Sequence, residues 1–191
     1  MSENYSVDYW FNQVDNQEIH GGLDNFNEKF YGFKILKNLI CNLNDIPLDG
    51  KIVLLGARET SIKMLCKHFG SDRVVGFDIS NPTNHPNITV KNVIDLSDKD
   101  NFPIAFAYND VGNFVITPRA KLHAQIWGAK NIIKGGYFLG RTNNNNAGYD
   151  LEGIMEEYDF VNYNLGNLEN FQGISLEDKS IYREHILSKR K

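Results

Sequence analysis

Lys51-Ile52-Val53-Leu54-Leu55 is an apolar run that stops at Gly56, and Val74-Val75-Gly76-Phe77 is a second that stops at Asp78, 22 positions after that glycine. Between them, Ala57-Arg58-Glu59-Thr60-Ser61 opens a helical stretch. Where a strand turns sharply into a helix at a glycine, the backbone can approach a bound group. The first helical turn brings N–H donors to the same place. An acid closing the next strand, roughly 20 residues on, is placed to accept from two neighbouring hydroxyls such as those of a ribose. This spacing suits nucleoside binding by a β-α-β unit, although only the first glycine of a full G-x-G-x-x-G is present. The same residues also suit a strand-turn-helix that binds nothing, with Asp78 capping a turn.

Further along, Ile104-Ala105-Phe106-Ala107-Tyr108 is an apolar run that ends at Asn109-Asp110, a pair that suits either contact with or deprotonation of a substrate at a strand end, or a plain Asn-Asp turn. Asp95-Leu96 follows a short strand and reads either as a nucleobase contact or as an ordinary helix start. Arg58 could pair with an anionic group on a ligand, but more readily suits bracing of the turn against Glu59 or Asp78. His123 lies on a helix and reads more readily as packing than as a base. His20, His68, His85 and His185 share no metal-ligand spacing, so no metal is expected. The sequence contains no G-x-x-x-x-G-K-[ST], no G-x-S-x-G and no H-E-x-x-H.

The elements that must hold these residues are those of one α/β domain. A chain of 191 residues with 41% hydrophobic and 23% charged content can bury a core of its own. A net charge of −4 argues against nucleic acid as a partner, and the basic tail Lys189-Arg190-Lys191 reads as a solvated terminus. Cys41 and Cys66 lack C-x-x-C spacing and fall on helical apolar faces, which predicts packing. With no leader-like stretch and no apolar run of roughly 18 residues, a cytoplasmic protein with no membrane partner is expected.

Residues 1–22 mix aromatics with polar residues and read as a lid or a frayed terminus. Asn25-x-x-Glu28 resembles a capping box. After it, Phe26, Phe30, Phe33, Leu36, Ile40 and Leu43 form one apolar helical stripe. This segment, 1–45, is expected to precede a core at 46–191, the two making one structural domain. Strand signals follow at Ile88–Val90, Ile104–Tyr108 and Tyr137–Gly140. Helices are expected from Thr117-Pro118 to Gly135-Gly136 and from Asp150 to Tyr158. Phe160–Asn164 and Ile181–Leu187 then read as a terminal antiparallel pair. The pattern predicts a Rossmann-like, seven-stranded, mostly parallel sheet with a C-terminal antiparallel hairpin and helices on both faces.

In this order the residues resemble the class I S-adenosylmethionine-dependent methyltransferases over about residues 24–191. Gly56-Ala57-Arg58 is similar to a variant of the family's first motif, Asp78 to its ribose-binding acid and Asp95-Leu96 to its adenine-side pair. Asn109-Asp110 matches the position after the fourth strand, and Lys134-Gly135-Gly136 resembles the turn before the fifth. The resemblance implies S-adenosylmethionine as cofactor, held by Gly56, Ala57, Arg58, Thr60, Asp78, Ile79, Asp95, Leu96 and Asn109. It implies Asp110 as the catalytic residue and a small-molecule or saccharide acceptor. Leu54 and Thr60 stand where the family usually has an acid and a glycine. They motivate one alternative, a non-catalytic binding module on the same fold; another enzyme of the sulfonium cofactor, such as a lyase, is a further alternative.

Overall fold

β1 (Lys51–Leu55) is apolar on both faces and buried from Ile52 to Leu55, which suits it to the middle of a parallel sheet. In the computed structural model, which describes residues 31–110, 118–141, 151–165 and 185–191, β1 lies between β2 (Val74–Asp78) and β4 (Ile104–Asn109). β3 (Ile88–Val90) edges the sheet beyond β2. On the other side come β5 (Ile132–Arg141), β7 (His185–Arg190) and, at the far edge, β6 (Phe160–Asn164). The order is β3-β2-β1-β4-β5-β7-β6. The first five strands are parallel, and β7 runs antiparallel to both of its neighbours. The expected seven-stranded sheet with its terminal hairpin is present.

Alternation along β1 divides the core into two. Ile52 and Leu54 pack with Ile35, Leu36, Leu39 and Ile40 of α1 (Tyr31–Asn42) and with Ile62 and Leu65 of α2 (Glu59–Phe69). Val53 and Leu55 pack with Ala124 and Trp127 of α3 (Pro118–Asn131) and with Met155 of α4 (Leu151–Glu157). The apolar stripe expected on the first helix is found at Leu36 and Ile40, with Leu43 at its margin. Its expected members Phe26 and Phe30, the capping box at Asn25 and Glu28, and the aromatic segment 1–22 lie outside the described residues.

Four expectations are corrected. α3 stops at Asn131 rather than at Gly135-Gly136, because the Asn131 amide donates to the Trp127 carbonyl and to Asn101 Oδ1, and Ile132 already pairs with Ile104 in the sheet. Gly135, at φ 78°, instead lets β5 change register between Ile132 and Tyr137. Val93–Asp95 and Asp98–Asp100 form 3₁₀ turns, the second closed by Ser97 and Asp100. Cys41 is exposed, not packed, while Cys66 is half-buried.

The fourth correction concerns the basic tail, since Lys189 and Arg190 belong to β7 and only Lys191 follows it. The Lys189 ammonium lies over the ring of Tyr137 and the Arg190 guanidinium over that of Phe160, and Arg190 donates to the Ile132 carbonyl. Lys189 Nζ donates to Asp45 Oδ2 at 2.5 Å, and the Tyr137 hydroxyl donates to Asp45 Oδ1 at 2.7 Å. The Lys189 and Tyr137 hydrogen bonds hold the Asp45 carboxyl below its ordinary value of 3.8. A depressed folded-state value stabilises the protein above the ordinary value, and that stability is lost as pH falls through the lower one. Asp45 is largely exposed, so Asp45→Asn is expected to cost only ~0.5 kcal/mol at neutral pH, a difference that shrinks as pH falls below 3.8 and through the lowered value. Denaturant melts of both proteins at neutral pH and at about pH 3 check this.

Among the described residues no helix is long and apolar enough to cross a membrane.

Candidate functional site

Parallel pairing sets the carboxyl ends of β2, β1, β4 and β5 side by side. Leu55 stands opposite both Phe77 and Asn109, and Asn109 stands opposite Gly140. The chain leaves β1 at Gly56, whose φ of 77° is strained for any residue with a side chain. The Gly56 and Ala57 N–H groups both donate to the Phe77 carbonyl, at 2.9 and 3.1 Å, which fastens the turn to the end of β2. Arg58, in extended conformation, precedes α2, and Thr60 lies in its first turn. The helix start is braced by an ion pair between Glu59 and Lys63, whose hydrogen bond lowers the Glu59 carboxyl from its ordinary value.

Asp78 ends β2 beside this turn. Its Oδ1 accepts from the Ser80 N–H at 3.1 Å, and its carbonyl accepts from the Lys91 N–H at 2.7 Å. The first bond fixes the direction of the carboxylate, and the second ties down the chain that leaves β3. Ile79 follows at the bend, half-buried. On the other side of Gly56, the Asp110 N–H donates to the Leu55 carbonyl at 2.9 Å. Gly56, Asp78 and Asp110, far apart in sequence, thus occupy one edge of the sheet.

Asn109, 7% exposed, follows Ala107 in alternation onto the α3 side, whereas Tyr108 belongs to the core under α1 and α2. Asp95 is exposed on its 3₁₀ turn, and Leu96 is buried in the α3-side core. His123 Nε2 lies 2.8 Å from the Leu96 carbonyl. A carbonyl only accepts, so that nitrogen carries the proton and His123 fastens the Asp95-Leu96 turn to α3. This is a packing role.

Two site residues escaped the sequence reading. The Tyr108 hydroxyl donates to Asp110 Oδ1 at 3.1 Å, and Nε2 of His185 lies 3.5 Å from that hydroxyl. Both side chains are 1% exposed. The available signal was a tyrosine before an Asn-Asp pair and a histidine within the expected last strand, Ile181–Leu187.

An open depression of about 290 Å³ lies elsewhere, at the amino end of β5, lined by Lys134, Val161, Tyr163, Lys189 and Arg190. Among the described residues no three His, Cys, Asp or Glu side chains cluster as a metal site would require.

Compared by sequence, the chain matches no family model and no curated protein. Compared by structure, it is similar to the plantazolicin methyltransferase BpumL, at TM-score 0.57 and 11% identity, over 95% of this chain and 93% of that one. It is similar to a SAM-dependent methyltransferase from Archaeoglobus fulgidus at TM-score 0.53 and 14% identity, over 86% and 98%. It also resembles the geranyl diphosphate C-methyltransferase of Streptomyces coelicolor A3(2) at TM-score 0.51 and 14% identity, over 83% and 77%. The fold is that of the class I S-adenosylmethionine-dependent methyltransferases.

On the methyltransferase fold, the residues at this edge suit the cofactor that the fold implies. An oriented Asp78 carboxylate beside a left-handed Gly56 offers acceptors for a ribose where the backbone has no side chain to obstruct it. Leu54, at the position where the methyltransferase family usually has an acid, is 1% exposed and belongs to the core.

Proposed function

We propose that this protein is a methyltransferase that binds S-adenosylmethionine across the carboxyl ends of β2, β1 and β4 and methylates a small-molecule or saccharide acceptor. The observation that carries the reading is the meeting of Gly56, Asp78 and Asp110 at one edge, with the Asp78 carboxylate already oriented by the Ser80 N–H. Asp78 accepts from the ribose hydroxyls. Gly56, Ala57, Arg58, Thr60 and Ile79 line the approach to it, Asp95 and Leu96 form the adenine side, and Asn109 contacts the cofactor from β4.

The cofactor supplies an electrophilic methyl group, so the protein's work is to align donor and acceptor and to exclude water. Asp110 stands where an acceptor would meet the end of β4 and takes its proton when one must leave. Structural relatives support the small-molecule part of this reading: one is complexed with geranyl diphosphate and S-adenosyl-L-homocysteine, another with a desmethyl plantazolicin analog and SAH.

The test is thermal unfolding with S-adenosylmethionine or S-adenosylhomocysteine, with NAD as a control. Ligand at about 100 times its dissociation constant adds ~2.7 kcal/mol, a rise of about 5–10 °C for a chain of this size. A rise with the two sulfur nucleosides alone is expected. No rise with either favours a non-catalytic module, a reading that draws on the core role of Leu54 and on the commitment of the Gly56 and Ala57 amides to Phe77. Release of S-adenosylhomocysteine as product distinguishes methyl transfer from cleavage of the cofactor.

A further inference from the structure

The depression of about 290 Å³ at the amino end of β5 lies at the opposite end of the sheet from Gly56, Asp78 and Asp110, and the proposed reaction makes no use of it. One of its walls is β6. Val161 and Tyr163 alternate onto one face of that strand, Val161 opposite Lys189 and Tyr163 opposite Leu187. Leu187 belongs to the α1 and α2 side of the core, whereas Val161 and Tyr163 remain 38% and 37% exposed at the margin of the sheet.

Lys134, Lys189, Arg190 and Lys191 line the same depression. Two of these cations are already committed. Lys189 is matched by Asp45 and lies over the Tyr137 ring. The Arg190 guanidinium donates to the carbonyls of Ala129, Lys130 and Ile132 and lies over Phe160. Lys134 and Lys191 are exposed and join no ion pair among the described residues. The Lys191 N–H donates to the Asp159 carbonyl at 3.0 Å, which fixes the end of β7 beside the start of β6. The Asp159 carboxylate joins no ion pair among those residues either.

A depression with apolar walls focuses the field of the charges around it, so two unmatched ammonium groups there draw an anion. With the planar fork of Arg190 committed, nothing is left that matches the paired oxygens of a carboxylate. Lysine ammonium groups act as point charges, which suits the spread oxygens of a phosphate. Val161 and Tyr163 add an apolar surface for a flat body attached to that phosphate. A second copy of this chain is disfavoured, because a two-fold contact here would set Lys134 and Lys191 against like charges. Nucleic acid is disfavoured too. A long polyanion would run out over a chain whose other residues are more acidic than its net charge of −4.

We infer that this depression binds a small organic phosphate, a phosphate monoester on a flat apolar body, with Lys134 and Lys191 on the phosphate and Tyr163 against the apolar part. Binding here needs no cofactor and stands whether or not the edge at Gly56 takes S-adenosylmethionine.

Phenyl phosphate is the probe, titrated into the full chain at about pH 7.5 and followed by the amide proton and nitrogen shifts in NMR. It is expected to move Lys134, Gly135, Val161, Tyr163 and Lys191 saturably and to leave Gly56, Asp78 and Ser80 in place. Lys134→Gln should weaken it about fivefold, the upper end for an exposed ion pair, and Lys134→Gln with Lys191→Gln about 25-fold. Both lysine side chains are exposed, so an unchanged melting temperature shows that these variants keep the fold. Tyr163→Ala should weaken phenyl phosphate about fivefold and leave inorganic phosphate unchanged. Shifts that never saturate, that spread over surface lysines or that gather at Gly56 and Asp78 overturn the proposal. So does an affinity for phenyl phosphate no greater than that for inorganic phosphate, or one that survives the double lysine substitution.

Discussion

Asp78→Ala is expected to weaken S-adenosylhomocysteine binding by about 100-fold, because it removes two charge-assisted hydrogen bonds whose combined loss is ~3 kcal/mol. At a ligand concentration that raises the wild-type melting temperature by about 5–10 °C, the variant then sits near its own dissociation constant. It gains only ~0.4 kcal/mol, a rise under about 2 °C. Alanine also removes the acceptor for the Ser80 N–H, so the turn after β2 loses a bond in the free protein. Asp78→Asn separates the two effects. Its amide oxygen can still take the Ser80 N–H, but the charge and one acceptor are gone, so the fold should be spared while binding falls by about 10-fold. Equal thermal shifts in wild type and Asp78→Ala would place the nucleoside elsewhere.

Gly76→Ala should cost about 3 kcal/mol, a fall in melting temperature of roughly 6–12 °C, although it adds a single methyl group. A β-carbon there would lie 2.6 Å from the Ala57 β-carbon, 2.8 Å from Ile62 Cδ1 and 3.3 Å from the Asn87 carbonyl oxygen. Gly76 is held in the sheet by its pairing with Leu54 and Ile88, and its N–H donates to that same Asn87 carbonyl, so the strand cannot retreat. The element that can yield is the Gly56-Ala57 turn with the start of α2. Nucleoside binding should therefore weaken together with stability, which calorimetry on the folded variant at low temperature would show. A variant as stable as wild type would mean that α2 can move away from β2 freely. The close packing of this helix would then not be what shapes the turn.

The β-α-β unit could be read from the chain because its signals are local. An apolar run that ends in glycine, a helical stretch and a second run that ends in aspartate require only neighbours in sequence. The hairpin strand Phe160–Asn164 was legible for the same reason, with β-branched and aromatic residues between turns. The end of α3 was misread because Gly135-Gly136 is a strong stop signal in isolation. Pairing of Ile132 with Ile104, a contact between distant residues, takes over the chain four residues before Gly136. The basic tail was misread similarly, since nothing near Lys189 in sequence reveals Asp45 or the ring of Tyr137.

By itself the sequence determined the class of sheet, the glycine turn after β1 and the acid that closes β2, because periodicity and spacing act over a few residues. It also named Asn109 and Asp110 as the pair at the end of β4. Only the tertiary structure decided that Gly56, Asp78 and Asp110 share an edge, since strand order and register arise from pairing over tens of residues. Only it could join Tyr108 to His185, 77 positions apart, because a buried hydrogen bond between β4 and β7 exists once β5 has been inserted between them.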